Sequence, residues 1–148
     1  MIESTKFRIE WGVPPESILD VRQRNLYPNQ ELNLAKALQV FLDGQGVVCA
    51  AAMVADEVAG CVTVMEEDQD GIQLRIRWLG VDDAWRGKGM GTALTRKVQE
   101  YATKLQKGIW CNVRIKAIPV YQRLGFVIQG KTFEVPGVGP HVRMTWRP

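Results

Sequence analysis

A strand-like alternation, a glycine-rich stretch and a helical pattern follow one another without interruption between Ile72 and Leu105, and this succession constrains the chain most. In IQLRIRWLGV, Ile72, Leu74, Ile76 and Trp78 alternate with Gln73, Arg75 and Arg77. Successive strand side chains point to opposite faces, so the pattern predicts a strand with one apolar face. After Trp78 the phase slips, because Leu79 and Val81 are apolar on the other parity. Such a slip means either a β-bulge or a strand end buried on both faces. WRGKGMGTAL follows, with Gly87, Gly89 and Gly91 beside Arg86 and Lys88. Met90, Leu94, Val98, Tyr101 and Leu105 then mark one face of a helix, with Gly108 as its expected C-cap.

This order of elements has a chemical consequence. The first turn of a helix leaves backbone N–H groups unpaired, and the helix dipole adds partial positive charge there. An anion, phosphate above all, is the natural partner. Glycines let such a ligand approach the backbone, and Arg86 and Lys88 add charge. Two well-known phosphate loops do not fit: GxxxxGK[ST] is absent, and so is GxGxxG.

The rest of the chain reads as regular elements without a linker or internal repeat, hence one domain over residues 1–148. KFRIEWG predicts an edge strand. PPESILDVRQRNLY predicts a helix opened by Pro and broken at Tyr27-Pro28. A second helix, with Leu34, Leu38 and Phe41 or Leu42 at helical spacing, stops at Gly44. Two Val-rich runs joined at Asp56-Glu57 predict a buried hairpin, and EEDQDG a polar turn. IWCNV predicts a short strand. RIKAIPVYQRL predicts a helix that Pro119 confines to its later part. GFVIQGKTFEV predicts a strand pair or one bent strand, and HVRMTWR a strand with Val142, Met144 and Trp146 on one face and His141, Arg143 and Thr145 on the other.

Composition excludes several functions. A hydrophobic content of 46% supports a buried core, and a charged content of 24% argues against disorder. No apolar run is long enough to span a bilayer, and MIESTKFRIE lacks a signal-peptide core, so a cytoplasmic protein is expected. A net charge of +3 does not promise the basic stripe that nucleic acid needs. Cys49, Cys61 and Cys111 read as buried free thiols, and with His141 the sole histidine no metal site is expected.

Arg86-x-x-Gly89-x-Gly91 resembles the Arg/Gln-x-x-Gly-x-Gly/Ala signature of the GNAT superfamily of acetyltransferases. Ala117, Tyr121 and Gly125-Phe126 resemble that family's second signature, and the element order is similar across nearly the whole chain. The closing FEVPGVGPHVRM resembles a subgroup of uncharacterised predicted acyltransferases that end in a Gly-x-Pro-His stretch. The resemblance implies an α/β (α+β) GNAT fold: a mixed, mostly antiparallel sheet of about seven strands with about four helices, strands 4 and 5 splayed.

The resemblance also implies an activity and the residues that carry it. The activity is transfer of an acetyl group from acetyl-CoA, without a metal, to a primary amine of a small molecule or peptide. From the mild charge and the lack of a spanning run, neither nucleic acid nor membrane is expected as a partner, and a homodimer stays open. Leu79, Gly80 and Val81 would hydrogen-bond the pantetheine arm. Arg86, Gly87, Lys88, Gly89, Met90 and Gly91 would wrap the pyrophosphate, with Thr92 nearby. Asn112 would face the arm, or be a polar strand-end residue. Tyr121 would be the general acid, or a core tyrosine. Many relatives carry a Glu on the strand before the loop, where this chain has Arg75 and Arg77. His141 is then the remaining side chain for a base or substrate contact, against a structural role or a water as base. Arg75 and Arg77 are either a solvated strand face or a lure for an acidic group on the acceptor. A sensor that binds CoA without turnover is the alternative to an enzyme.

Overall fold

The computed structural model describes residues 6–148; of the expected signal-free N-terminus, residues 1–5 lie outside it. Seven strands form one sheet, ordered β1-β2-β3-β4-β5-β7-β6. They are β1 (Arg8–Val13), β2 (Gln45–Val54), β3 (Glu57–Gln69), β4 (Ile72–Val81), β5 (Ile109–Arg114), β6 (Val127–Val135) and β7 (Gly139–Trp146). Four α-helices accompany it: α1 (Leu19–Leu26), α2 (Leu34–Asp43), α3 (Met90–Leu105) and α4 (Ile118–Arg123). All neighbouring strands run antiparallel except β4 and β5, which are parallel. A parallel pair needs a crossover, and α3 supplies it.

The helices divide between the two faces. Met90, Leu94, Val98 and Ala102 of α3 and Tyr121 of α4 join Val62, Val64, Leu74, Ile76, Cys111 and Met144 in the main core. Ile18 and Val21, on and just before α1, pack with Cys49, Ala51 and Cys61 on the opposite face, and Phe41 of α2 lies against them. Each fully buried aliphatic side chain of this kind contributes about 1.5–3 kcal/mol.

Local chemistry explains most boundaries. The Asn33 side chain accepts from the Lys36 N–H and starts α2. Pro119 sits in the first turn of α4, where a missing N–H costs nothing. Pro15 opens a short 3-10 turn rather than α1 itself. Three expectations need correction. Gln106, in the left-handed region at φ +56°, caps α3, so Gly108 does not. Glu66, Glu67 and Asp68 belong to β3, and the turn is confined to Asp70-Gly71. Their exposed carboxylates meet Lys107, Arg75 and the Gly71 N–H, so an extended strand satisfies them as well as a turn would.

The third correction concerns Trp78. Cys61 pairs with Gly80 and Thr63 with Arg77, so β4 carries one residue more than β3 between these pairs. That is a β-bulge, as the phase slip predicted, with Trp78 at φ +54°. The slip falls one residue earlier than the apolar pattern suggested. Leu79 and Val81 pack with the α3 core, whereas Trp78 turns to the other face, against Phe41 and the Tyr27 hydroxyl.

The end of β4 is tied to α1 by Asp82. Its carboxylate accepts two hydrogen bonds from Arg24, at 2.8 and 2.7 Å, and one from Asn25 at 2.7 Å. These bonds, Arg24 foremost, hold the Asp82 carboxyl below its ordinary pKa. A depressed carboxyl stabilises the fold above the unfolded pKa of about 3.9 and loses that contribution as pH falls through the folded value. Replacing Asp82 with Asn should therefore cost about 1 kcal/mol near pH 7, a loss of about 2–4 °C in Tm. The gap between variant and parent should close in melting curves recorded below pH of about 4. A gap that persists unchanged in acid would mean that the carboxylate's charge is not what ties α1 to β4.

Candidate active site

The sheet opens in its middle. β4 and β5 pair only at Leu74 with Ile109 and Arg75 with Trp110. Beyond these, Ile76–Val81 pairs with β3 alone and Cys111–Arg114 with β7 alone. Both strands thus carry backbone groups toward the opening that the sheet does not use, and such groups demand a partner.

The glycine-rich stretch borders that opening. Asp83–Trp85 forms a 3-10 turn, and the chain then reaches α3 through Gly87 at φ +74° and Gly89 at φ +83°. Both angles are strained for any residue with a Cβ. A Cβ at either position would meet nothing within 4 Å, so glycine here serves backbone shape and an open surface, not packing. No side chain caps α3, which leaves its first N–H groups facing outward. Arg86 is exposed; its Nε donates to the Val81 carbonyl at 3.2 Å and lies 3.2 Å from Asp83 Oδ1. Lys88 Nζ is 5.4 Å from the centre of the Trp85 ring, which meets Phe7 edge-on. Leu79, Gly80 and Val81 therefore stand beside Arg86, Gly87, Lys88, Gly89, Met90, Gly91 and Thr92 at one mouth of the opening.

The remaining sequence candidates lie on the second wall and on both faces. Asn112 is on β5 between the core residues Cys111 and Val113, so it points to the α1–α2 face. Its Oδ1 is buried without a hydrogen-bond partner. Tyr121 is buried on the α3 face, edge-on to Phe126 at 5.2 Å. Burial holds its phenol well above the ordinary value near 10. His141 is buried on the Asn112 face, paired in register with Arg114. Its Nδ1 lies 2.9 Å from the Gly139 carbonyl oxygen. A carbonyl only accepts, so Nδ1 carries the hydrogen, and Nε2 is the ring nitrogen this contact leaves unengaged. Tyr121 and His141 thus approach the opening from opposite faces of the sheet.

Sequence reasoning missed the company that Arg75 and Arg77 keep. Arg22 and Arg77 lie over the Trp78 ring at 3.9 and 4.1 Å. Arg75 and Arg143 lie over the Trp110 ring at 4.6 and 5.2 Å. Burial, then the nearby charge of Arg75, lowers the Arg77 pKa to about 10, and burial also lowers that of Arg22. The loose apolar pattern around Arg22 hid it, because a half-buried arginine on a helix looks like a solvated one.

Comparison with known proteins identifies this geometry. Residues 24–148 match the family described as Acetyltransferase (GNAT) domain. The chain belongs to the GNAT acetyltransferases. It is 22% identical over 138 residues to the uncharacterized N-acetyltransferase YitI of Bacillus subtilis, covering 87% of this chain and 89% of that protein. It is 31% identical over 93 residues to N-acetylaspartate synthetase of Xenopus tropicalis, covering 60% of this chain but only 34% of that protein. A Bacillus subtilis acetyltransferase solved in complex with CoA has the same fold, with a TM-score of 0.71 at 22% identity over 97% of this chain and 99% of that one. Among the described residues, no helix is long and apolar enough to cross a membrane.

All three thiols are buried. Burial pushes Cys61 up to about 12, and raises Cys49 and Cys111 as well. The reactive species is the thiolate, so at about pH 8 a thiol reagent should leave the native protein untouched over minutes and titrate all three cysteines after denaturation. Rapid labelling of the native chain would show that one of these strands opens in solution.

Proposed function

We propose that this GNAT acetyltransferase moves an acetyl group from acetyl-CoA to a primary amine of a small molecule or peptide. The parting of β4 and β5 directly onto the uncapped start of α3 carries this reading. Leu79, Gly80 and Val81 offer backbone groups to the pantetheine arm. Arg86, Gly87, Lys88, Gly89, Met90 and Gly91 take the pyrophosphate, with Thr92 beside it. Asn112, with its free Oδ1, faces the arm from the other wall. The closing FEVPGVGPHVRM, with Gly139-Pro140-His141, resembles the ending of the uncharacterised subgroup.

In the reaction, a neutral amine attacks the thioester carbonyl. The new C–N bond forms, the C–S bond breaks, and the amine's proton leaves to His141 Nε2, directly or through a water. Tyr121, kept protonated by burial, donates to the departing thiolate. The lack of a carboxylate on β4 beside the opening favours a CoA-binding sensor as the second reading, while Tyr121 argues against it. Free-thiol release from acetyl-CoA over an amine panel separates the two; CoA binding without release for any amine would favour the sensor.

Two variants test the assignment. Gly89→Val places a branched side chain at φ +83° and distorts the loop that should meet the pyrophosphate. CoA affinity by calorimetry should fall at least about tenfold, or 1.4 kcal/mol, with the circular dichroism spectrum retained. An unchanged affinity would remove the loop from the cofactor site.

Tyr121→Phe keeps the edge-on contact with Phe126 and removes only the hydroxyl. It should lower kcat by about 10²–10⁴-fold while acetyl-CoA affinity stays within about twofold. A parental kcat, with chemistry rate-limiting, would return Tyr121 to the core.

A further inference from the structure

We infer that the acceptor is a small amine carrying two carboxylates, of the class of an acidic α-amino acid, held by Arg22, Arg77, Arg75 and Arg143. This names the substrate class of the site proposed above and rests on that reading. The register puts these arginines on one side of the sheet. Arg77 pairs with Thr63, whose hydroxyl is within reach of Cys49 in the α1-side cluster. Arg143 pairs with Asn112, and His141 with Arg114, on that same side of β5 and β7. The acceptor would then enter from the α1–α2 face, opposite the face that holds α3 and Tyr121.

The charge accounting points to a dianion. Glu67 accepts from Arg75 at 3.2 Å, and Asp70 lies 3.9 Å from Arg143. Among the described residues, Arg22 and Arg77 have no carboxylate within 4.0 Å. Two guanidinium charges are therefore left without a counter-ion on one tryptophan ring. Among the described residues, Nε and Nη1 of Arg22, Nε of Arg75 and Nε of Arg143 are buried and find no hydrogen-bond acceptor. Buried donors on a charged group are expensive to leave empty. Guanidinium forks match carboxylates in shape, and each takes one bidentately. The ring stacking holds the forks in place, so little side-chain entropy is lost when an anion arrives.

Burial also sets the size of the ligand. All four arginines are half-buried rather than exposed, which suits a group that enters the face more than a broad macromolecular surface. Of the four, Arg143 alone lines the cavity of about 190 Å³ that Trp110, Asp70 and Gln129 also border. His141 lies on this same face, paired in register with Arg114.

The experiment compares L-aspartate and L-glutamate with L-asparagine, L-glutamine and putrescine, in two readouts. Free-thiol release from acetyl-CoA gives kcat/KM. Tryptophan fluorescence, with CoA present, gives binding without turnover, since Trp78 and Trp110 lie beneath the arginines. A diacid should exceed its amide by at least about tenfold in affinity, and in kcat/KM where turnover occurs. Arg77→Gln and, independently, Arg143→Gln should erase that preference, mainly through KM, while Arg77→Lys restores part of it. Diacid binding without thiol release would uphold the dicarboxylate as the ligand of the arginine cluster and defeat the acyl-transfer reading. Turnover of amides or putrescine as good as that of the diacids would defeat the acceptor class and leave acyl transfer standing. Absence of saturable diacid binding to the parent protein overturns the inference, whatever the variants do.

Discussion

One inserted residue in β4 sets most of this architecture. Trp78 occupies the left-handed region at φ +54°, a conformation that costs a bulky side chain about 1–2 kcal/mol. The surroundings hold it there: Phe41 and Arg22 lie against its ring, the indole N–H donates to the Tyr27 hydroxyl, and the Cys61 thiol reaches its carbonyl. The insertion reverses the facing of everything after it. Leu79 and Val81 drop into the α3 core, so the end of β4 is bound to α3 and β3 rather than to β5. An unbulged β4 would leave those two residues on the wrong face.

The bulge also creates the charged face. Because Arg77 and Trp78 turn to the same side, an arginine sits over the ring of its own neighbour, which a regular strand forbids. Arg22 then closes on the ring from α1. The same distortion thus parts the sheet where a cofactor arm would lie and gathers uncompensated cations on the side away from α3. The Asp82 clamp to Arg24 and Asn25 fixes α1, and with it Arg22, relative to the end of β4.

The strand, glycine loop and helix were legible in the sequence because each rests on a local rule. The alternation in IQLRIRW, the positive-φ glycines at 87 and 89 and the apolar face of α3 depend only on neighbours along the chain. The exact residue of the bulge was not legible, because Trp78 is apolar and satisfies either face. The α3 cap was missed because Gln106 reached the left-handed region that Gly108 seemed made for. The arginine cluster was beyond reach for a different reason. Arg22, Arg77 and Arg143 are far apart in sequence, and only strand order and helix docking place them on two tryptophan rings. From sequence, Arg75 and Arg77 stood where many relatives carry a glutamate, as a solvated face or a lure for an acidic group; in the fold they are two of four half-buried arginines over two tryptophan rings.

That substitution has a physical logic. A carboxylate beside the opening would strip the proton from an acceptor ammonium, but it would also stabilise that ammonium by its charge. Uncompensated guanidinium groups do the reverse: a nearby cation disfavours the charged form of an amine and lowers its pKa. An amine with no anionic groups would be repelled outright and gain nothing from that effect. One that carries two carboxylates is drawn in by them, and pairing those carboxylates with guanidinium groups takes away the negative charge that would otherwise stabilise its ammonium, which favours the neutral nucleophile. His141 Nε2 or a water then needs only to accept a proton already made labile. The same charges would favour the oxyanion of the tetrahedral intermediate over the neutral thioester. A face of arginines in place of a glutamate is therefore compatible with catalysis for an anionic acceptor and a poor design for a cationic one.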